Sequence, residues 1–176
     1  MQDIKRVRVV VTGDRDGRSY ISSDAPALGA LVQPGRPTAL TDVWHVAGVP
    51  ADPTDSGEPP TDRPFTLAPP ASGIVFRVVQ FDPVSADEIA AMDGREIFAA
   101  MNASADHVGG ETSPFMHRTR SLDFGLVLEG SLTMLLDDDV TEVSAGDIII
   151  QRATSHAWEN RGSQRALVAF VLVSAM

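Results

Sequence analysis

Apolar and polar residues alternate along most of this chain with the two-residue period of a β-strand. Residues 4–11, IKRVRVVV, read as a first strand. The turn-forming run TGDRDG follows, and RSYIS at 18–22 reads as a second strand. Two further strands are expected at 39–46, ALTDVWHV, and at 74–81, IVFRVVQF, the latter rich in β-branched and aromatic residues. From Phe115 onward the pattern is continuous strand and turn: DFGLVLEG, SLTMLLDDD, VTEVSAGD, IIIQRATSH and RALVAFVLVSA. Short strands joined by Gly- and Asp-bearing turns predict an all-β, antiparallel sandwich or barrel. The Asp137-Asp138-Asp139 run reads as a hairpin turn, since it lacks the spaced ligands and glycine of a calcium loop.

Two stretches break the alternation. Prolines crowd the segment from Pro50 to Gly73, and each lacks a ladder donor and fixes φ, so an irregular arm is expected there, pinned by Phe65 and Leu67. SADEIAAMDGREIFAAMN at 85–102 opens on an N-capping serine. It places Ile89, Met92, Ile97 and Met101 near helical spacing, with Gly94 breaking the helix. The organisation expected is one domain over 1–176. Strands and the Pro-rich arm occupy 1–82, a short helical segment 83–104, and a strand-rich core 105–176.

Composition narrows the function. The chain has 176 residues, long enough to bury a core, and a net charge of −10. Concentrated Lys and Arg are needed to hold phosphates or anionic lipid, so nucleic acid and membrane partners are not expected. No cysteine is present, which rules out thiolate nucleophiles, zinc-thiolate sites and disulfides. Any metal must be held by His, Asp, Glu or other oxygen ligands. The first residues lack a secretory apolar run, and cytoplasmic residence is expected. No GxSxG elbow, phosphate loop or dinucleotide fingerprint occurs, and Ser155 and His156 are strand neighbours that point to opposite faces.

The histidines carry the remaining signal. His117 precedes Asp123 by six positions, and Asp123 is followed at the end of its strand by Gly130. Gly146 opens GDIIIQRATSHAWEN, which contains His156 and Asn160. This arrangement resembles the cupin family, over roughly residues 110–173. The first cupin motif runs His-x-His, then Glu, then six residues to Gly; the second begins Gly-Asp and reaches His-x-x-x-Asn. Thr119 stands where the second histidine is expected, and Asp123 stands where the glutamate is expected.

The resemblance implies a double-stranded β-helix, or jelly-roll barrel, with an N-terminal strand extension and a homodimeric assembly. It also implies that His117, Asp123 and His156 meet in the barrel mouth as a two-histidine, one-carboxylate ligand set. That donor set suits Fe, Mn, Ni or Zn with positions left open for substrate. His107 and Glu111 are candidate substitute ligands, and His45 is expected to be packed or surface-exposed, without a role. Gln151 and Arg152, at the end of the IIIQR strand, are candidates for steadying negative charge on a substrate. Thr119, Gly125, Val127, Trp158 and Asn160 are expected to line the pocket. Phe124, Leu126 and Leu128 then face away from it and need cover, from the N-terminal half or from a second subunit. Two functions remain open: a metal-dependent oxygenase, decarboxylase or isomerase acting on a small organic molecule, and a metal-free protein that binds or senses such a molecule.

Overall fold

A computed structural model describes residues 3–32, 38–59, 65–110 and 112–176. The chain opens with a hairpin of β1 (Arg8–Arg15) and β2 (Arg18–Pro26), followed by β3 (Leu31–Val32), β4 (Thr38–Val46) and β5 (Ile74–Phe81). Two short helices follow, α1 (Ala86–Ala90) and α2 (Gly94–Ala100). The remaining strands are β6 (Ser121–Glu129), β7 (Ser131–Leu135), β8 (Val140–Ser144), β9 (Ile148–Arg152), β10 (Ala157–Glu159) and β11 (Ala166–Ser174).

The strands form a six-stranded sheet in the order β3-β4-β5-β11-β6-β9 and a three-stranded sheet in the order β10-β7-β8. Among the described residues, the strand pairings in both sheets are antiparallel. Leu132, Met134 and Trp158 of the small sheet pack against Val75, Val79, Phe81, Val127, Val168 and Phe170 of the large one, making one core between two sheets. This is the antiparallel sandwich expected from the strand pattern, in the jelly-roll form that the family resemblance implies. Among the described residues, no helix is long and apolar enough to cross a membrane.

Local chemistry explains most boundaries. Ser85 caps α1 in a capping box with Glu88, and the Asp93 side chain accepts from the Arg95 amide to start α2. The helical segment is thus two helices, as the break near Gly94 foreshadowed, and Phe98 and Met101 bury their side chains in the main core. The first strand differs from expectation: it continues through Thr12, Gly13 and Asp14 to Arg15. The turn is only Asp16-Gly17, both at positive φ (55° and 75°), which is the tight two-residue geometry that suits the twist of a hairpin. The described parts of the Pro-rich arm form no helix or strand, and Phe65 and Leu67 pack against the core as expected. The stretch 60–64 lies outside the described residues.

Gly130 shows why the carboxylate-to-glycine spacing exists. β6 ends at Glu129 and β7 begins at Ser131, so the chain turns from one sheet to the other at a single residue. Gly130 has φ +73°, and a Cβ there would lie 2.3 Å from the Arg165 carbonyl oxygen. Both conditions exclude a side chain. Gly130→Ala is expected to cost about 3 kcal/mol, from left-handed strain plus a displaced backbone. Urea denaturation should show a lowered midpoint at unchanged slope; a midpoint equal to wild type would contradict this account.

On β6, Ser121, Asp123, Gly125 and Val127 face inward, while Phe124, Leu126 and Leu128 face outward. The N-terminal half leaves the outward set open, with Phe124 43%, Leu126 41% and Leu128 49% exposed. In register across the sheet, Phe76, Val171, Phe124 and Ile150 form one apolar row on that outer face.

Candidate functional site

His117 and His156 come from distant parts of the sequence and are tied together by the backbone. The His117 amide donates to the His156 carbonyl at 2.9 Å, and the His156 amide donates back at 3.0 Å. This reciprocal pair sets the two imidazoles side by side, with ring centroids 4.2 Å apart. The His117 Nδ1 lies 2.9 Å from the Phe115 carbonyl oxygen, a contact that requires a proton on that nitrogen. His156 is 3% exposed, and burial pushes its pKa down to about 4, against the raising effect of its hydrogen bond to the Thr154 backbone. It is a neutral imidazole at pH 7.

Asp123 enters the same cavity from β6. Burial pushes its carboxyl up to about 6, only partly offset by the Ser121 hydroxyl and by the charge of Arg77. Its Oδ1 is buried without a hydrogen-bond partner. A buried carboxylate oxygen with nothing to accept from is costly, and native structures retain few of them without a reason. Thr119 lies beside it, its hydroxyl 2.9 Å from the Ser121 hydroxyl.

The cavity that these residues share has a volume of about 70 Å³. Its polar lining is His117, Thr119, Asp123, His156, Arg77 and Thr38, and its apolar walls include Phe98, Met101, Trp158, Phe170, Leu40 and Leu67. Of the residues expected at the pocket, His117, Asp123, His156, Thr119 and Trp158 are brought together here.

The others are placed differently. Gly125 and Val127 face inward but do not line the cavity; Val127 is core. A Cβ on Gly125 would lie 3.0 Å from the Phe170 ring, so this glycine makes room for a ring that does form the wall. Asn160 clamps the turn before β11, its amide donating to the Phe81 and Gln164 carbonyls, both at 2.8 Å. Gln151 is buried behind His156, not in the cavity. Its Nε2 donates to the Thr154 carbonyl at 2.8 Å and lies 2.5 Å from His156 Nδ1, and its Oε1 accepts from the Thr154 amide. It is a positioning residue for the loop that carries His156. Arg152 is exposed and lies opposite Leu122 on β6, because strand alternation turns it to the outer face once Gln151 points inward. His107 stacks on Phe98, with centroids 5.1 Å apart, and Phe98 makes the same approach to His117. His107 therefore lies behind the cavity wall. Glu111 lies outside the described residues.

Arg77 is the residue that pattern reading passes over. It is 2% exposed, in the middle of β5. Its Nε donates to Asp42 Oδ1 at 2.5 Å and its Nη2 to Asp42 Oδ2 at 3.2 Å. The guanidinium also donates to the Thr66 and Leu67 carbonyls of the Pro-rich arm, both at 2.9 Å, and lies over the Phe65 ring. His45 completes this group, with Nε2 3.0 Å from Asp42 Oδ2. Burial pushes the Asp42 carboxyl up, but the hydrogen bonds and charge of His45 and Arg77 outweigh it and hold it below the usual range. The one available signal was an arginine alternating with apolar residues in an otherwise buried strand, since such a charge needs a partner.

The Cupin domain family model matches residues 106–173. Over a longer span of 164 residues, the chain is 30% identical to phomopsin biosynthesis cluster protein C' of Diaporthe leptostromiformis, covering 88% of this chain and 70% of that protein. The chain belongs to the cupin superfamily. A shorter stretch of 72 residues is 42% identical to the cupin-domain-containing oxidoreductase fogC of Aspergillus ruber, covering 39% of this cupin and 35% of that protein. KdgF from Halomonas sp. aligns with 78% of this chain and 79% of its own at a TM-score of 0.42 and 12% identity.

Cupins commonly bind metals, and the donors here have suitable chemistry: two imidazoles and a carboxylate. Their placement does not fit. Among the described residues, no group of three or more His, Asp or Glu side chains converges closely enough to hold an ion. Thr119, where this cupin lacks the second motif histidine, offers a hydroxyl, a much weaker ligand than imidazole.

Proposed function

We propose that this cupin binds a small, largely apolar organic molecule inside its barrel, holding it by apolar contact and hydrogen bonds. The observation that carries this reading is a single cavity where aromatic and aliphatic walls surround the cluster of His117, His156, Thr119 and Asp123. Such sites are typically apolar with a few converging polar groups that fix orientation. The names of related proteins, which refer to a biosynthesis cluster and an oxidoreductase, support a role in the chemistry of small biosynthetic molecules. A second reading, metal-dependent catalysis, is favoured by the orphaned Asp123 Oδ1 beside two imidazoles. It requires Fe, Mn, Ni or Zn to draw those side chains together.

Elemental analysis separates the two readings. Untagged protein from metal-supplemented cells is expected to carry no stoichiometric Fe, Mn, Ni or Zn. A chelator is expected to leave its binding of anisole, measured by calorimetry, unchanged. Near-stoichiometric metal that disappears in His117→Ala and His156→Ala would replace the first reading with the second.

A further inference from the structure

We infer that the ligand of the barrel cavity is an uncharged, ring-sized molecule carrying a hydroxyl group, which donates its hydrogen bond to Asp123 Oδ1. This rests on the small-molecule reading above and specifies the chemistry that the cavity selects.

The size follows from the cavity. It offers about 70 Å³ of space to water-sized groups. One water needs roughly 10–15 Å³ of such space, so the cavity holds on the order of five waters, or one compact ring in their place. The walls favour the ring. Phe98, Trp158 and Phe170 present aromatic faces and edges, and Met101 supplies an adaptable thioether.

The hydroxyl follows from hydrogen-bond accounting. Asp123 is 5% exposed, and its Oδ1 is the one buried side-chain oxygen among the described cavity residues left without a partner. The Ser121 hydroxyl, which bonds Thr119 and lowers the Asp123 pKa, leaves Oδ1 itself without a hydrogen bond. A donor brought by a ligand would supply one. A ligand of the same shape without a donor would leave the oxygen buried and unpaired, which is the stronger form of discrimination available to a protein site.

The absence of charge on the ligand follows from the two ionisable groups that flank it. Asp123 disfavours a carboxylate. An ammonium would bring three donors to a cavity with one unpaired acceptor oxygen, and the buried Arg77 guanidinium lines that same cavity. Asp42 already pairs with that guanidinium, so it does not offer an unpaired cation to capture an anion. A neutral hydroxyl satisfies the orphaned acceptor without bringing a second charge beside either group.

Four ring probes test this by calorimetry on the full chain: phenol, anisole, benzoate and benzylammonium. Phenol is expected to bind at least tenfold tighter than anisole, and both charged probes are expected to bind more weakly than phenol. In Asp123→Leu, with the fold checked by circular dichroism, the ratio of phenol to anisole affinity should fall to about one. Asp123→Asn, which keeps the side chain's shape and an acceptor oxygen without the charge, guards against a folding defect and should show a reduced preference for phenol. Equal binding of phenol and anisole by the wild type overturns the inference while leaving the small-molecule reading standing. Tighter binding of benzoate or benzylammonium than phenol also overturns it. No binding of any ring probe overturns both the inference and the reading on which it rests.

Discussion

Arg77→Met is expected to destabilise the protein by about 3–5 kcal/mol, the cost of leaving a buried carboxylate without its partner. The magnitude follows from how completely the guanidinium is used. It is 2% exposed and satisfies both oxygens of Asp42 together with two carbonyls of the Pro-rich arm. Methionine keeps the length and most of the packing of the stem but supplies none of these donors. Asp42 would retain only His45. The double variant Arg77→Met with Asp42→Leu removes the stranded charge along with its partner and should recover most of the loss. Urea denaturation of both single variants and the double variant gives a coupling energy, which is expected to exceed about 1.5 kcal/mol. A single-variant cost under about 1 kcal/mol would show that the pair is held no better than a surface ion pair.

The second large effect is in pH dependence, and in the wild type it is hidden. Asp123 has a folded pKa of about 6 against an ordinary 3.8. The fold therefore favours its protonated form, and the stability it contributes is present below about pH 4 and lost as pH rises through 6. His156 has a folded pKa of about 4 against 6.5. Its contribution is present above 6.5 and lost as pH falls through 4. Between these limits the two slopes have opposite sign and similar size, so they nearly cancel.

Removing one group exposes the other. In its own pH profile, Asp123→Asn keeps only the His156 slope and should gain stability as pH rises from 4 to 6.5, whereas His156→Gln keeps only the Asp123 slope and should lose stability as pH rises from 4 to 6. Displacements of this size correspond to about 3 kcal/mol at most for each group. Chemical denaturation at closely spaced pH values measures both slopes. Two variants whose stability runs parallel to wild type across that window would mean that neither burial effect operates.

The apolar–polar alternation decided by itself that this chain makes antiparallel sheets. The period of two also set which residues share a face: Asp123, Gly125 and Val127 on one side, Phe124, Leu126 and Leu128 on the other. The motif spacing was legible because it measures a strand. The run from Asp123 to Gly130 carries β6 from the cavity to a corner where a side chain would strike the Arg165 carbonyl. Ser85 announced the start of the first helix for an equally local reason. Apart from the Arg165 contact, these depend on neighbours within a few residues.

Alternation does not say how far along the barrel a residue sits, nor which wall stands opposite it. Those follow from registers between strands far apart in sequence. β11 pairs with both β5 and β6, and this brings Arg77 and Asp123 to one cavity although no local pattern relates them. The same registers place Gly125 and Val127 on the inward face but away from the cavity, and leave Asn160 to clamp a turn. At the end of β9, Gln151 sits behind His156 and Arg152 turns to the outer face. The approach of His117 to His156 is likewise made by a tertiary backbone pair. The orphaned oxygen on Asp123 is legible only in three dimensions, because an unmet hydrogen bond is a property of everything that surrounds an atom.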